Sequence, residues 1–546
     1  MVMFRAFYED VKKATKLDDL RESEHADLCS TIAFKLAKEQ KRNPQEIAEE
    51  LVENFRLTGY LGKIEVVNGY INFFASEEFF EDCVLRILDE DYRYGELNLK
   101  GEVLIEHTSA NPDGPLHVGH IRNSIIGDAL ARIFKKAGLN VTTQYYINDM
   151  GRQSAMAVLG IKKFGWTGEK PDHAVAKAYI RINEEAEKNE EIERDVEDLM
   201  IRYERGDEEV VKFFREVIEK ALEGIKDTLK TLNVKHDEFI WESDFVRNGY
   251  VDRIFKMLEE RGLLKKDGVY WIELPGYEKE VILRRENGTT LYITRDLAYH
   301  LWKNENYDKF INVLGADHKL IANQLSDVLK LLGLKPPEIV FFEFVSLPEG
   351  SMSTRKGRFI SADEVISKTL EEAKKIIEDR DFDEKEKEKV AQSVAVGAIR
   401  FDFIKVSPEK PMVFDMKKAL DFERQTASYI QYTHARACSI MRKAVERGMG
   451  ELEFRSDLMD DIERSLILQL SKFSFVIEKV IRTLKPNLFA DYLMKIADTF
   501  NDFYHRNPVL SEDSEIRMHR LAIVDSTRIV LRNGLELLGI DALERM

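Results

Sequence analysis

The sequence predicts an α/β protein: a parallel-sheet domain carrying an insertion, a small α+β domain before it and an all-α domain after it. Three observations predict this. Val103-Leu104-Ile105 and residues 141–147 (VTTQYYI) are apolar runs of strand type, with Ile121, Ile125, Ile126, Ala129, Leu130, Ile133 and Phe134 at helical spacing between them. Strand, crossover helix and strand in so short a stretch make a βαβ unit of a parallel sheet. Residues 22–58 carry a helical stripe (Leu28, Ile32, Leu36, Ile47, Leu51, Phe55), followed by the strand-like IEVVNGYINFF at 64–74. From about residue 385 to the end the spacing is helical, without strong strand alternation.

In chain order, the small α+β unit spans 1–98 and ends in a linker-like stretch at 89–100. The sheet domain spans 99–385. Within it, about 155–280 is mostly charged helix and reads as an insertion; strand signals return at 281–293, 310–314 and 339–345. The helical domain spans 386–546.

Length and composition narrow the class. A chain of 546 residues with 44% hydrophobic residues supplies several cores, and 29 Gly with 12 Pro excludes a fibrous or low-complexity protein. No apolar run approaches a membrane span, and MVMFRAFYEDVKKATK mixes charges too early for a secretory signal. Cys29, Cys83 and Cys438 stand far apart, which excludes a cysteine-based zinc site or disulfide framework and fits a reducing cytoplasm. The net charge of −17 is unevenly spread: residues 401–546 carry 22 Lys and Arg against 23 Asp and Glu, whereas 181–210 alone carries 13 acids and 5 bases. The C-terminal quarter can therefore meet a polyanion; the acidic run reads as a solvated helix face.

His117-Val118-Gly119-His120 lies where a Pro/Gly turn (Asn111-Pro112-Asp113-Gly114-Pro115) enters the helix after the first strand. The first turn of a helix offers free N–H groups and the positive end of the dipole, a setting for phosphate. Two histidines three apart reach the same phosphate, and Gly119 lets a flat ring lie against the backbone. Ligands of parallel sheets bind at the carboxyl ends of the strands, where this motif sits. No G-x-G-x-x-G follows the strand and no G-x-x-x-x-G-K-[ST] occurs, which argues against dinucleotide and Walker-type sites. Downstream, Ser351-Met352-Ser353-Thr354-Arg355-Lys356-Gly357 sets two adjacent cations in a polar loop, suited to closing over a triphosphate as pyrophosphate leaves.

Residues 106–153 (EHTSANPDGPLHVGHIRNSIIGDALARIFKKAGLNVTTQYYINDMGRQ) resemble the catalytic core of arginyl-tRNA synthetases, class I enzymes with HIGH and KMSKS elements. SMSTRKG is similar to the eukaryotic and archaeal form of the second element. HADLCSTIAFKLAKEQKRNPQEIAEEL and GYINFF resemble the N-terminal additional domain of that family, and YIQYTHARACSIMRK with the terminal DALERM resembles its anticodon-binding domain. The resemblance implies a Rossmann-like catalytic domain that joins arginine to tRNA(Arg) through an arginyl-adenylate. ATP enters with Mg2+ and without a dedicated protein metal cage, and the enzyme is a cytoplasmic monomer. His117 and His120 would stabilise the phosphoryl transition state, and Ser353, Arg355 and Lys356 would hold the phosphates; Arg355 or Lys356 stands for the second lysine of KMSKS. Gly114, just before HxGH, cannot supply a replacement lysine. Gly119, Gly315, Asp317 and His318 would meet the nucleotide.

A guanidinium is planar, always charged and rich in donors, so its pocket wants fixed carboxylates. Glu106 ends the first strand; Asp296 follows Tyr292 by four residues in YITRD, one helical face. Taken alone, Glu106 reads as a strand-end surface acid and Asp296 as a cap or a partner of Arg295. With Asn111 and Gln324, however, they match the family's arginine-binding set. The resemblance places Glu106 and Asp296 on the guanidinium, Tyr292 against it, and Asn111 and Gln324 at the α-amino end; Asp149 has no assigned role. For tRNA it points to Tyr429, Tyr432, Tyr492 and Met546 at the anticodon loop. Asn72 and Phe74 would meet the elbow. Aromatics beside Arg436, Arg442 and Lys443 suit unpaired bases and phosphates, and the same tyrosines suit a bundle core.

Overall fold

The computed structural model describes residues 3–348, 360–422, 425–448, 452–511 and 513–546. The chain divides into two compact units, 1–99 with 136–138 and 421–546, and 100–135 with 139–420.

The first unit begins with α1 (Met3–Thr15), β1 (Leu28–Ser30), α2 (Ile32–Gln40), α3 (Pro44–Val52), β2 (Leu61–Val67), β3 (Tyr70–Ala75) and α4 (Glu77–Glu90). The strands form an antiparallel sheet ordered β1-β3-β2. Asn68 and Gly69, both at positive φ, make the two-residue turn that twisted hairpins favour. Asn43 caps α3, with Pro44 at its first position, and Ser76 caps α4. The helical stripe expected over 22–58 begins later than its spacing suggests, because Leu28 is a strand residue paired with Phe73.

The second unit contains β4 (Glu102–Glu106), α5 (Val118–Lys136), β5 (Asn140–Ile147), α6 (Arg152–Phe164), α7 (Pro171–Ala186), α8 (Glu190–Arg205), α9 (Glu208–Thr231) and β6 (Glu238–Trp241). It continues through α10 (Glu242–Arg247), α11 (Tyr250–Glu260), β7 (Lys265–Asp267), β8 (Val269–Ile272), β9 (Val281–Arg284), α12 (Tyr292–Asn306), β10 (Lys309–Gly315), α13 (Lys319–Leu331), β11 (Glu338–Phe342), β12 (Val345–Ser346), α14 (Ala362–Ile377), α15 (Glu384–Lys405), β13 (Met412–Val413) and α16 (Met416–Ala419). Five strands form a parallel sheet ordered β11-β10-β4-β5-β6. The chain winds outward from β4 through β5 to β6, then returns and winds the other way through β10 to β11. The reversal falls between β4 and β10, the switch point at which parallel sheets hold ligands. Close packing of α5 on β4 depends on Gly127, where a Cβ would lie 2.3 Å from that of His107.

Three features differ from the sequence expectation. The charged stretch 155–280 contains β6, a strand of the main sheet; it is a four-residue edge strand and only partly buried, so it carries no apolar run. The strand signal at 281–293 ends at Arg284 in a separate small sheet, and Tyr292 opens a helix instead. Residues 386–420 group with the sheet unit, since α15 packs on α14. The acidic run behaves as its composition suggests: Ile192, Val196, Leu199 and Tyr203 form the buried stripe of α8, leaving its acids on the opposite face.

The first unit is completed by α17 (Ala427–Glu446), α18 (Asp461–Ser471), α19 (Phe473–Thr483), α20 (Asn487–Arg506) and α21 (Ser514–Leu537). These helices enclose one core with the N-terminal segment. Arg464 Nη1 lies 2.9 Å from Asp27, and Tyr94 donates to the Leu470 carbonyl at 3.0 Å. Among the described residues no helix is long and apolar enough to cross a membrane.

Candidate active site

The backbone leaving β4 is strained where the site begins. Thr108 has φ +69° and Ser109 φ +38°, a region that a β-branched residue rarely occupies without enforcement. The enforcement is visible. Asn123 of α5 accepts the Thr108 N–H at 2.6 Å and donates to the Val313 carbonyl of β10 at 2.9 Å. Tyr145 donates to the Ala110 carbonyl at 2.8 Å. One asparagine thereby ties the first loop, its helix and the neighbouring strand together at the switch point.

His117 and His120 stack at 3.6 Å between ring centroids, 15° from parallel. His117 Nδ1 accepts the Gly119 N–H at 3.0 Å and the His120 N–H at 3.3 Å, while His120 Nδ1 accepts the His117 N–H at 3.3 Å. The first-turn N–H groups expected to be free for phosphate are therefore taken up by the imidazoles. With each Nδ1 an acceptor, the neutral tautomer carries its proton on Nε2. Burial lowers the pKa of His117, partly offset by a backbone hydrogen bond and the charge of Asp317; burial and the His117 neighbour hold His120 well below the usual range. The pair is thus neutral, with two Nε2–H donors backed by the helix N-terminus. A Cβ on Gly119 would lie 2.9 Å from His117 Cε1, so only glycine leaves room for the ring.

Gly315 ends β10, and Asp317 and His318 follow it, exposed, their side chains 3.8 Å apart. Ser353, Arg355 and Lys356 lie outside the described residues. Residues beyond that segment meet the turn that leads into α5. Ser361 bridges His117, and the Ala362 N–H donates to the Leu116 carbonyl at 2.7 Å. The buried Arg122 donates to the carbonyls of Glu343 (2.6 Å), Lys410 (2.9 Å) and Ser407 (3.1 Å). Asp363, in the first turn of α14, accepts from Lys170 (2.8 Å), His173 (2.8 Å) and Thr228 (2.8 Å). Asp172, His173 and Asp363 have the spacing of metal ligands, but the Lys170 ammonium sits among them.

The acids converge at the other end of the switch point. Glu106 lies opposite Asn312 of β10 and Gln144 of β5. It is buried, and its Oε2 receives Lys303 Nζ at 2.5 Å, while Ser109 Oγ donates to Oε1 at 3.3 Å. It is therefore not a strand-end surface acid; it is paired internally. Asp296, Tyr292 and Lys303 share one face of α12. Arg295 is engaged by Glu242 at 2.8 Å rather than by Asp296. The Asp296 carboxyl, half-buried, meets no cation or hydrogen-bond donor among the described residues. Burial, then the charges of Glu106 and Glu242, push its pKa up to about 8 despite Lys303 and Arg295. Two carboxyls and one ammonium make a pocket one positive charge short.

Tyr292, 46% exposed, closes one side; its Oη would come within 3.1 Å of a Cβ at Gly151, a glycine at φ +90°. Asn111 accepts from Asn148 at 3.0 Å and donates to Gln153 at 2.9 Å. Gln324 is half-buried on α13, and no described hydrogen bond joins it to the other four. Asp149 is structural: buried, it accepts from the Ser243 N–H (2.9 Å), the Ser243 hydroxyl (2.5 Å) and Tyr203. Sequence reasoning missed Lys303. The signal was its position seven residues after Asp296 on the same helical face.

In the first unit, Tyr429, Tyr432 and Arg436 lie partly exposed along α17. The Arg436 guanidinium sits 5.0 Å from the rings of both Tyr432 and Tyr504. Tyr492 is instead a core residue, 6% exposed, donating to the Gln469 carbonyl at 2.9 Å; its apolar neighbours on α20 draw it inward. Asn72 is likewise buried on the central strand β3. Phe74 is half-buried, with Lys63 (5.5 Å) and Arg464 (5.8 Å) over its ring. Met546 ends a tail whose carbonyls at Asp541, Leu543 and Glu544 are met by Gln431 (2.9 Å), His434 (2.9 Å) and Arg442 (3.1 Å) of α17.

Three family models match the chain: "tRNA synthetases class I (R), catalytic domain" over 83–416, "DALR anticodon binding domain" over 430–546, and "Arginyl tRNA synthetase N terminal domain" over 4–75. The chain is 68% identical to an arginine–tRNA ligase of Archaeoglobus fulgidus over all of both chains. It is 48% identical to one of Methanothrix thermoacetophila, over 96% of this chain and 94% of that one. Among solved structures, an arginyl-tRNA synthetase of Thermus thermophilus superposes with a TM-score of 0.84 at 31% identity, covering 99% of this chain and all of that one. A methionyl-tRNA synthetase of Mycobacterium tuberculosis shares the fold alone, with a TM-score of 0.54 at 11% identity over 81% of this chain and 92% of that one.

Proposed function

The chain belongs to the arginyl-tRNA synthetase family, and from that premise we propose how its side chains divide the work. The reaction is the ATP-dependent attachment of arginine to tRNA(Arg). In the first step an arginine carboxylate oxygen attacks the ATP α-phosphorus, the bond from that phosphorus to the α,β-bridging oxygen breaks, and pyrophosphate leaves. In the second, a ribose hydroxyl of the terminal adenosine attacks the arginyl carbonyl, loses its proton, and AMP leaves. Neither step needs an enzyme nucleophile; position and charge stabilisation carry both.

His117 and His120 donate their Nε2–H groups to the phosphate oxygens on which charge grows during the first step. What supports this reading is their shared tautomer: each Nδ1 is occupied by a first-turn N–H, so each outward nitrogen is a donor. Gly119 leaves room for the rings, while Gly315, Asp317 and His318 meet the nucleoside at the end of β10. Ser353, Arg355 and Lys356 hold the β- and γ-phosphates, a role supported by the resemblance and by the anchorage of Ser361 on His117. Mg2+ would arrive on the triphosphate, and the Asp317 carboxylate, exposed just after β10, would offer it one ligand while phosphate and water supplied the rest.

Arginine binds with its guanidinium at Asp296 and Glu106, Tyr292 against it, and its α-amino end toward Asn111 and Gln324. The missing positive charge of the pocket supports this most directly. Tyr429, Tyr432 and Met546 face the anticodon loop and Phe74 the elbow; the burial of Tyr492 and Asn72 gives them supporting positions instead.

Incubation with ATP, each amino acid in turn and total tRNA tests the whole reading. Arginine alone should become attached, and pyrophosphate exchange should require tRNA. Attachment of a second amino acid at comparable rate would refute the specificity assignment. A second result concerns pH. With the Asp296 pKa pushed up to about 8, a guanidinium must expel a proton to bind at lower pH. Arginine affinity should therefore fall by about tenfold per unit as pH drops from 7.5 to 6. Equilibrium dialysis at three pH values measures this, and a flat profile would remove Asp296 from the contact.

A further inference from the structure

We propose that Lys303 is a positioning residue for substrate specificity: by donating to Glu106 it makes that carboxylate an acceptor-only group, which admits a guanidinium and turns away its neutral ureido counterpart. This rests on the arginine pocket above and adds a group that the pocket reading did not contain.

Lys303 is 0% exposed on α12. Its ammonium donates to Glu106 Oε2 at 2.5 Å and to Asn312 Oδ1 at 3.0 Å, and lies 4.0 Å from the centre of the Tyr299 ring. Each partner is fixed in turn. Asn312 donates to His300 Nε2 at 2.9 Å, and His300 Nδ1 donates to the Asp296 carbonyl at 2.8 Å. Tyr299 donates to Gln144 Oε1 at 2.5 Å and stacks on Tyr146 at 4.5 Å. The donors and acceptors run in one direction from Lys303 through Asn312 and His300 to the Asp296 carbonyl, with a separate branch from Lys303 to Glu106.

The consequence follows from the donor inventory. An ammonium has donors only, so the carboxyl oxygen facing it must accept. Ser109 Oγ donates to the other oxygen at 3.3 Å. The oxygen facing Lys303 can only accept, so Glu106 presents an acceptor to an incoming group. A guanidinium presents N–H donors at every edge and satisfies such a group; citrulline, which replaces one edge by a carbonyl oxygen, sets lone pairs against lone pairs in a buried site. Asp296 cannot do this work alone. Burial, then the charges of Glu106 and Glu242, push its pKa up to about 8, and a protonated carboxyl donates readily to a ureido oxygen. Rejection of the neutral analogue therefore falls to Glu106, and Lys303 confers it.

The test is steady-state charging of tRNA with arginine and with citrulline by the full-length enzyme. Lys303→Met should lower the arginine-to-citrulline ratio of kcat/KM by about a hundredfold, with the loss on arginine falling mainly on KM. Glu106→Gln should lower the ratio similarly, because its amide can donate to the ureido oxygen. In the Glu106→Gln background Lys303→Met should add nothing. A ratio within threefold of wild type for Lys303→Met overturns the proposal, as does a second hundredfold loss in the doubly substituted chain. If Lys303→Met alone does not fold, the comparison of Glu106→Gln with the double variant, in which the buried pair is replaced by neutral groups, still decides. Asp296→Asn separates the two levels: an unchanged arginine KM there would refute the pocket itself, whereas a raised KM with unaltered discrimination in Lys303→Met refutes only the role of Lys303.

Discussion

Replacing Asp296 by Asn is expected to raise the KM for arginine by about 10²–10³. The pocket explains the size. Lys303 is committed to Glu106 at 2.5 Å, so Asp296 is the carboxyl left to answer an incoming cation. Truncating one partner of a buried, hydrogen-bonded charge pair costs about 2–5 kcal/mol, and each 1.4 kcal/mol is tenfold. The substitution keeps the shape of the side chain and offers an amide N–H where the guanidinium needs an acceptor. Charging kinetics at pH 9, above the pKa of about 8 to which the native carboxyl is pushed, give the largest contrast. The KM for ATP is the internal control, because the phosphate end of the site does not contain Asp296. An arginine KM within threefold of wild type would mean that the guanidinium binds elsewhere.

The same pocket shows what could and could not be read from residue order. The βαβ unit was legible because parallel strands buried on both faces leave continuous apolar runs, as in Val103–Ile105. HxGH was legible because a helix start after a Pro/Gly turn is a local event. Tyr292 and Asp296 were legible as one face of a helix, and α12 opens at Tyr292. Strand β6 was not, since a short edge strand half open to solvent carries little hydrophobic signal. The state of Glu106 was not either. Whether an acid at a strand end faces water or an ammonium depends on what the neighbouring layer brings, and Lys303 arrives from 197 residues downstream. Tyr492 and Tyr432 illustrate the same limit within one domain. Both are aromatics on long helices; tertiary packing alone makes one a core residue and leaves the other at the surface beside Arg436. The grouping of the N-terminal segment with the last five helices rests on pairs such as Asp27 with Arg464, 437 residues apart, which no local pattern announces.

Replacing His120 by Ala is expected to lower the rate of adenylate formation by about 10²–10³, the usual cost of removing one preorganised donor to a developing anion. Its arginine KM should change little. The substitution removes more than one hydrogen bond. It takes away the outward Nε2–H, the stacking partner that holds His117 3.6 Å away, and the acceptor of the His117 N–H. His117→Ala should therefore cost a similar factor, and the double substitution much less than the product, because the rings act as one device. The pH profile separates donor from acid. Burial lowers the pKa of both imidazoles, and a hydrogen-bonding role for the neutral rings predicts a rate that does not rise as pH falls from 7.5 to 6 at saturating arginine. A proton-donating imidazolium predicts the opposite slope, with the rate growing toward acid. Single-turnover adenylate formation with saturating ATP, arginine and tRNA reads this step directly. A His120→Ala enzyme within threefold of wild type would show that the stacked pair is a helix cap and not the phosphate-binding device, and a rate that climbs as pH is lowered would replace the neutral hydrogen-bond donors with an imidazolium acid.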